Sequence, residues 1–302
     1  TAYEIPKRDW SSDVCSSDLQ PEPTPPAHPT TVSGIETETY VRILEAEDTR
    51  QWSASMEMLL AGSDKRIRGR AALAAGRIGD VAAEPSLRQL LATDGSDSVK
   101  QWAAFALGEI ESPASISELV GTLHSPAPSV VRGAAIEALG KIGAVLPEKA
   151  EEDRKRVGAA ILVVLKEQNE SKEPNDRITL LALTAALRVK PEGAPPLIAQ
   201  FLKSTNPRVR ADALNALARI RAPESLDVVQ RLLESDKDPV VRANAARVLG
   251  LGGEAVTWEA LAARMEIDTD LRVRIASIRA LASLAQQKSA VPLLKQIGRA
   301  HV

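Results

Sequence analysis

One pattern, repeated at a nearly fixed spacing, constrains this chain more than any other feature. Ser129 to Gly143 reads SVVRGAAIEALGKIG, Pro207 to Ile220 PRVRADALNALARI, Pro239 to Gly250 PVVRANAARVLG, and Leu271 to Leu284 LRVRIASIRALASL. Aligned on the basic residue that follows a β-branched one, the anchors are Arg68, Lys100, Arg132, Arg210, Arg242 and Arg274. Successive anchors lie 32, 32, 78, 32 and 32 residues apart. The wide step holds a further copy, RITLLALTAALRV, with Thr179 in the anchor position. A period of this length marks stacked supersecondary units, each unable to bury its apolar face alone.

With the anchor numbered zero, small or apolar residues recur at −1, +3, +6 and +10, a single stripe at helical spacing. Position +3 is Ala71, Ala103, Ala135, Ala182, Ala213, Ala245 and Ser277. Side chains this small let neighbouring helices approach closely. Gly76, Gly108, Gly140 and Gly250 at +8 read as helix terminators. Position −4 holds Asp64, Ser96, Pro128, Asn175, Asn206, Asp238 and Asp270, six of them good N-caps. Aligned acids and bases in successive copies predict helix caps together with a side-chain ladder, drawn from Asp64, Arg68, Lys100, Arg132, Asn206, Arg210, Asp238, Arg242, Asp270 and Arg274. A first helix precedes each copy and ends in paired apolar residues such as Leu59-Leu60, Leu90-Leu91 and Leu232-Leu233.

The consensus DxxVRxxAAxALGxIG resembles the second helix of HEAT repeats, in the short bacterial form also found in phycobilisome-lyase-like proteins. The resemblance covers Arg50 to Gln296. It implies an all-α chain, an α-solenoid superhelix of about seven complete helical hairpins plus a truncated eighth beginning at Ser289. It also implies that the second helices line a concave, partner-facing side.

The ends differ in character. DWSSDVCSSDL (Asp9 to Leu19) resembles a translated short-read sequencing adapter, and IGRAHV (Ile297 to Val302) matches the same DNA read from the other strand. Residues 1–19 and 297–302 are therefore expected to be non-native, with no part in the fold. Residues 20–35, rich in Pro and Thr, read as a linker, and residues 36–296 as the repeat array. Setting the two ends aside removes Cys15, the only cysteine, and His301. It leaves 35 basic and 36 acidic residues, a net charge of −1 against −2 for the whole chain. A near-neutral chain makes no global case for nucleic acid, and no apolar run reaches transmembrane length. Location stays open, with export favoured over the cytoplasm. Between Gly143 and Asn175 about 15 extra residues, including the charged run PEKAEEDRKR, interrupt the array.

Chemistry is hard to place in this sequence. There is no His-rich ligand spacing, no glycine-rich phosphate loop and no paired-carboxylate motif. His124 at a helix end reads as a solvated side chain. No catalytic, metal or cofactor residue is therefore assigned, and no cofactor is expected. The candidate binding surface is the polar edge of the second helices at +1, +5 and +9. It carries Arg77, Lys141, Arg188, Arg219, Arg247 and Arg279 against Glu109 and Glu137. Trp102 and Phe105 add a candidate aromatic anchor in a chain poor in aromatics. The expected partner is a protein or peptide, acidic if the basic stripe is used, and the expected function is a non-catalytic scaffold. Two alternatives stand beside it. One is an array from a larger protein carrying a lost catalytic domain, such as a cyclophilin-type peptidyl-prolyl isomerase. The other is a bilin lyase-like protein, implied only by the repeat subtype.

Overall fold

The computed structural model describes residues 30–252 and 255–286. Its first elements fall inside the stretch read as linker. Thr31–Val32 (β1) and Ile35–Glu36 (β2) pair antiparallel, Val32 opposite Ile35. The turn uses Ser33 and Gly34 with φ of 54° and 74°, the left-handed pair that a tight two-residue hairpin requires. Ile35 is buried beneath it.

Helix α1 (Thr37–Thr49) follows, then seven hairpins. These are α2 (Ala54–Leu60) with α3 (Lys65–Ile78), α4 (Glu84–Thr93) with α5 (Asp97–Ile110), and α6 (Ile116–His124) with α7 (Ser129–Val145). They continue with α8 (Glu151–Glu170) and α9 (Asp176–Val189), α10 (Ala194–Gln200) and α11 (Pro207–Ile220), α12 (Leu226–Ser235) and α13 (Pro239–Gly252), and α14 (Ala255–Ile267) and α15 (Leu271–Gln286). The expected eighth unit and both expected non-native ends lie outside the described residues. The extra residues before Asn175 lengthen α7 and α8 to 17 and 20 residues and leave only a short loop at 171–175.

The odd-numbered helices from α3 to α15 form one continuous row, each packed along the next, while the first helices touch one another sparsely. In a curved stack of this kind the row with the closer spacing takes the inside. The physical cause is the small-residue stripe. The +3 residues from Ala71 to Ser277 are all fully buried. The +8 glycines do not end their helices: α3 runs on to Ile78 and α5 to Ile110. Each instead faces the +6 alanine of the next helix. A Cβ on Gly76, Gly108, Gly140 or Gly250 would fall within 2.9 Å of the backbone Cα of Ala106, Ala138, Ala185 or Ala280. The α9–α11 and α11–α13 junctions, where Leu187 and Ala218 stand at +8, are packed less extensively.

In α3, α5, α9 and α11 termination comes three residues later, at +11, where the chain turns left-handed. Of these four positions only Gly79 is a glycine. Glu111, Lys190 and Arg221 hold φ of 57°, 52° and 63°, a region costing L-residues about 1 kcal/mol. Arg221→Gly is accordingly expected to raise stability by about 0.5–1 kcal/mol, less than the full strain because glycine also enlarges the entropy of the unfolded chain. Urea unfolding of the single variant checks this; a fall in midpoint would show that the strain is already relieved.

The α1 helix sits against α3 as a terminal cover. Ile43, Met56 and Ala74 form a small core of their own. Glu47 on α1 binds both Arg70 and Arg77 of α3, and the Arg70 guanidinium lies 5.2 Å from the centre of the Tyr40 ring. Burial pushes the Glu47 carboxyl up, but the hydrogen bonds and charge of Arg70 and Arg77 outweigh it and hold the group below its ordinary value.

Candidate functional site

The ladder runs along one edge of the stack, where second helices begin. The acid of each rung is not the cap. Arg68 donates from Nε and Nη2 to Asp94 at 2.7 and 3.1 Å. Arg210 holds Asp236 at 2.8 and 2.9 Å, and Arg242 holds Asp268 at the same distances. In each case the third nitrogen, Nη1, donates to two carbonyls of the preceding loop, as in Arg242 to the oxygens of Asp236 and Lys237. Each acid also accepts the N–H two residues on: Ser96, Asp238 and Asp270. The bidentate fork is the arrangement arginine makes and lysine cannot.

These pairings change the acids of the expected ladder and leave the −4 residues as caps. Asp64, Asn206, Asp238 and Asp270 accept N–H groups of the first helical turn instead, and Ser96 makes no side-chain cap. Asp64 and Asp270 also bind the neighbouring Arg66 and Arg272, which lowers each carboxyl to about 2. The rung acids sit six residues before the next anchor, and the sequence carried a signal for them. Where that position is Pro126 or Ser204, the preceding anchor is Lys100 or Thr179 rather than arginine. Arg132 reaches across to Glu167 on the long α8. Arg274 turns back to the carbonyl of Met265.

The solvent side of the second-helix row is built from +2, +5 and +9. In α3 and α7 the +1 position, expected to share it, points at the following helix: a Cβ on Gly69 would meet Trp102, and one on Gly133 would meet Leu181. The N-terminal half of this surface is closed by its own side chains. Arg77 is drawn to Glu47 at 3.2 Å. Lys141 lies between Glu109 at 2.6 Å and Glu137 at 2.9 Å, with its ammonium 4.9 Å from the centre of the Phe105 ring. Burial pushes Lys141 down, but the two carboxylates raise it above its ordinary value. Trp102 meets Phe105 edge-on, centroids 5.9 Å apart at 89°, and is half-buried over Gly69. Trp102 packs against the core rather than standing clear of it, and Phe105 is half-buried beside it.

The C-terminal half is different. Arg188, Arg219, Arg247 and Arg279 are exposed. Among the described residues none of the four has a carboxylate partner; Arg247 donates to the Asn244 side-chain oxygen at 2.6 Å. Asp212, at +2 of α11, is taken by Arg208 at 3.0 Å. Between α13 and α15 the surface sinks into a cavity of about 370 Å³, lined by Arg247, Gly250, Leu251, Ile275, Ala276 and Arg279 among others.

Elsewhere the chemistry is spare. Among the described residues no group of three or more His, Cys, Asp or Glu side chains is placed to hold a metal ion. The ring of His124 bonds the Val120 carbonyl at 2.9 Å at the end of its own helix. Trp52 donates to Glu57 at 3.1 Å, and Trp258 is buried in the core. Among the described residues, no helix is long and apolar enough to cross a membrane.

A family model described as HEAT repeats matches residues 53–142, 162–250 and 231–301. Among solved structures, an archaeal HEAT-like repeats protein from Thermococcus onnurineus NA1 is 14% identical, with 78% of this chain and 98% of that chain covered and a TM-score of 0.52. The complex of CpcE and CpcF of phycocyanin lyase from Nostoc sp. PCC7120 is 21% identical over 81% and 93%, with a TM-score of 0.48. Human deoxyhypusine hydroxylase is 19% identical over 82% and 99%, with a TM-score of 0.36. No curated protein matches the chain.

Proposed function

We propose, from the premise that this chain belongs to the HEAT-repeat family, that it is a non-catalytic scaffold binding an acidic protein or peptide segment along the C-terminal half of its concave face. One observation carries the reading. Four arginines from four consecutive second helices, Arg188, Arg219, Arg247 and Arg279, share that face without a carboxylate partner among the described residues, whereas the cations of the other half are neutralised from within. A stack of rigid helices presents these charges as two successive pairs, Arg188 and Arg219 at +9 and Arg247 and Arg279 at +5, which an extended acidic segment can follow. Each exposed pair contributes at most about 1 kcal/mol, so affinity accumulates over several units. Trp102 and Phe105, half-buried in the closed half, are not part of the proposed contact.

The test uses a fluorescein-labelled peptide of alternating glutamate and small residues, followed by anisotropy. The Arg188→Ala, Arg219→Ala, Arg247→Ala triple variant is expected to bind at least about tenfold more weakly, three lost pairs at roughly 0.5 kcal/mol or more each. Its remaining affinity should depend less on salt, because screening acts on the charges removed. Trp102→Ala should leave the Kd within about twofold. All three sites of the triple variant are exposed, so circular dichroism should be unchanged. Equal affinity of parent and triple variant, or equal binding of a lysine-rich peptide, overturns the reading.

A further inference from the structure

We infer that the cavity between α13 and α15 is a side-chain pocket that recognises an apolar residue next to an acidic one in the partner segment; this rests on the acidic-partner reading above. Equivalent grooves along the same row differ in what fills them. Between α3 and α5 the groove is filled by Trp102 at +2 and Phe105 at +5. Between α5 and α7 it is filled by Lys141, seated on Phe105 and tied to Glu109 and Glu137. Between α1 and α3 it is filled by Arg70 over Tyr40, tied to Glu47.

Between α13 and α15 the filling residues are absent. Ala276 stands at +2 where Trp102 stands in α5, and Arg279 at +5 where Phe105 stands. The space that results, about 370 Å³, has a floor of Gly250 and Ala276 and apolar walls of Leu251 and Ile275, with Ile275 39% exposed. Arg247 and Arg279 flank it. Arg247 is steadied by Asn244, so its guanidinium is already oriented when a carboxylate arrives. An apolar side chain entering the floor would bring the carboxylate of its neighbour to the two arginines. Charge decides which segment fits. The chain beyond Gln286 carries Lys288, Lys295 and Arg299 and no acidic residue, so it does not match a groove flanked by arginines.

Two peptides of identical charge test this on the full chain, one with leucine between its glutamates and one with serine there. The parent protein is expected to bind the leucine peptide about tenfold more tightly. In Ile275→Ser that preference should fall to about twofold or less, with the salt dependence of both peptides unchanged. In Arg279→Ala both peptides should weaken together. Binding of neither peptide overturns the acidic-partner reading itself. Equal binding of both by the parent, or a preference that survives Ile275→Ser, overturns only the pocket. Sedimentation velocity provides the remaining arm: a concentration-dependent dimer abolished by Arg279→Glu would assign the groove to a second copy and overturn the inference.

Discussion

Gly108→Ala is expected to lose about 2–4 kcal/mol of stability, although alanine is the better helix former by about 1 kcal/mol. The reason lies across the row. A Cβ at Gly108 would fall 2.7 Å from the Ala138 Cα and 2.8 Å from its Cβ, and both helices are buried there. Neither atom is the end of a flexible side chain, so α7 has to move away from α5. That movement opens one of the two most extensively packed junctions among the described residues and forfeits its close contacts. Gly121 supplies the control. It lies in α6, is exposed, and a methyl group added there would have nothing within 4 Å. Gly121→Ala is expected to gain about 0.5–1 kcal/mol. Opposite signs for two helical Gly→Ala changes, read from urea midpoints with unchanged slopes, is the result the packing demands. A gain at both positions would mean that the row is not held together by its glycines.

The sequence made the architecture legible because the same stripe recurs in seven copies, mostly 32 residues apart, and a stripe of alanines permits only close helix packing. The role of the +8 glycines was less legible. A glycine near the end of a helix satisfies the rule for a terminator as well as the rule for a close approach, and only the position of the next helix separates the two. The rung acids were missed for a related reason. Asp94, Asp236 and Asp268 lie beside the more conspicuous caps, and their arginine partners are 26 residues away in another unit. On the face of the second helices, Glu109 and Lys141 are one period apart at the same helical position. Their pairing follows from the repeat alone. The closure of the other cations by Glu47 does not, because α1 belongs to no repeat and its place beside α3 leaves no periodic trace. The unpaired state of Arg188, Arg219, Arg247 and Arg279 is likewise a property of three-dimensional neighbours, not of composition.

The ladder leads to the second large effect. Asp268→Asn is expected to cost about 2–4 kcal/mol at neutral pH. Its side chain is 1% exposed and that of Arg242 13%, so removing the negative charge leaves a largely desolvated guanidinium without its counter-ion. The asparagine can still accept from the Asp270 N–H, which keeps the loop shape and isolates the charge. The pH dependence then has a fixed sign. The Arg242 hydrogen bonds hold the Asp268 carboxyl below its ordinary value, against the opposing effect of burial. A carboxyl lowered on folding stabilises fully above its unfolded value of about 4, and that contribution is lost as pH falls through the lower folded value. The stability gap between the parent and Asp268→Asn should therefore be widest near pH 7, persist at pH 5, and shrink as the solution is acidified below about pH 4. Asp64 and Asp270, lowered to about 2, weaken both proteins in the same acid range and cancel from the difference. Urea unfolding of both proteins at pH 7, 5 and 3 decides the matter. A gap that is constant across the series would place the cost in shape rather than charge, and a gap that widens in acid would contradict the ion pair as the source of the rung's stability.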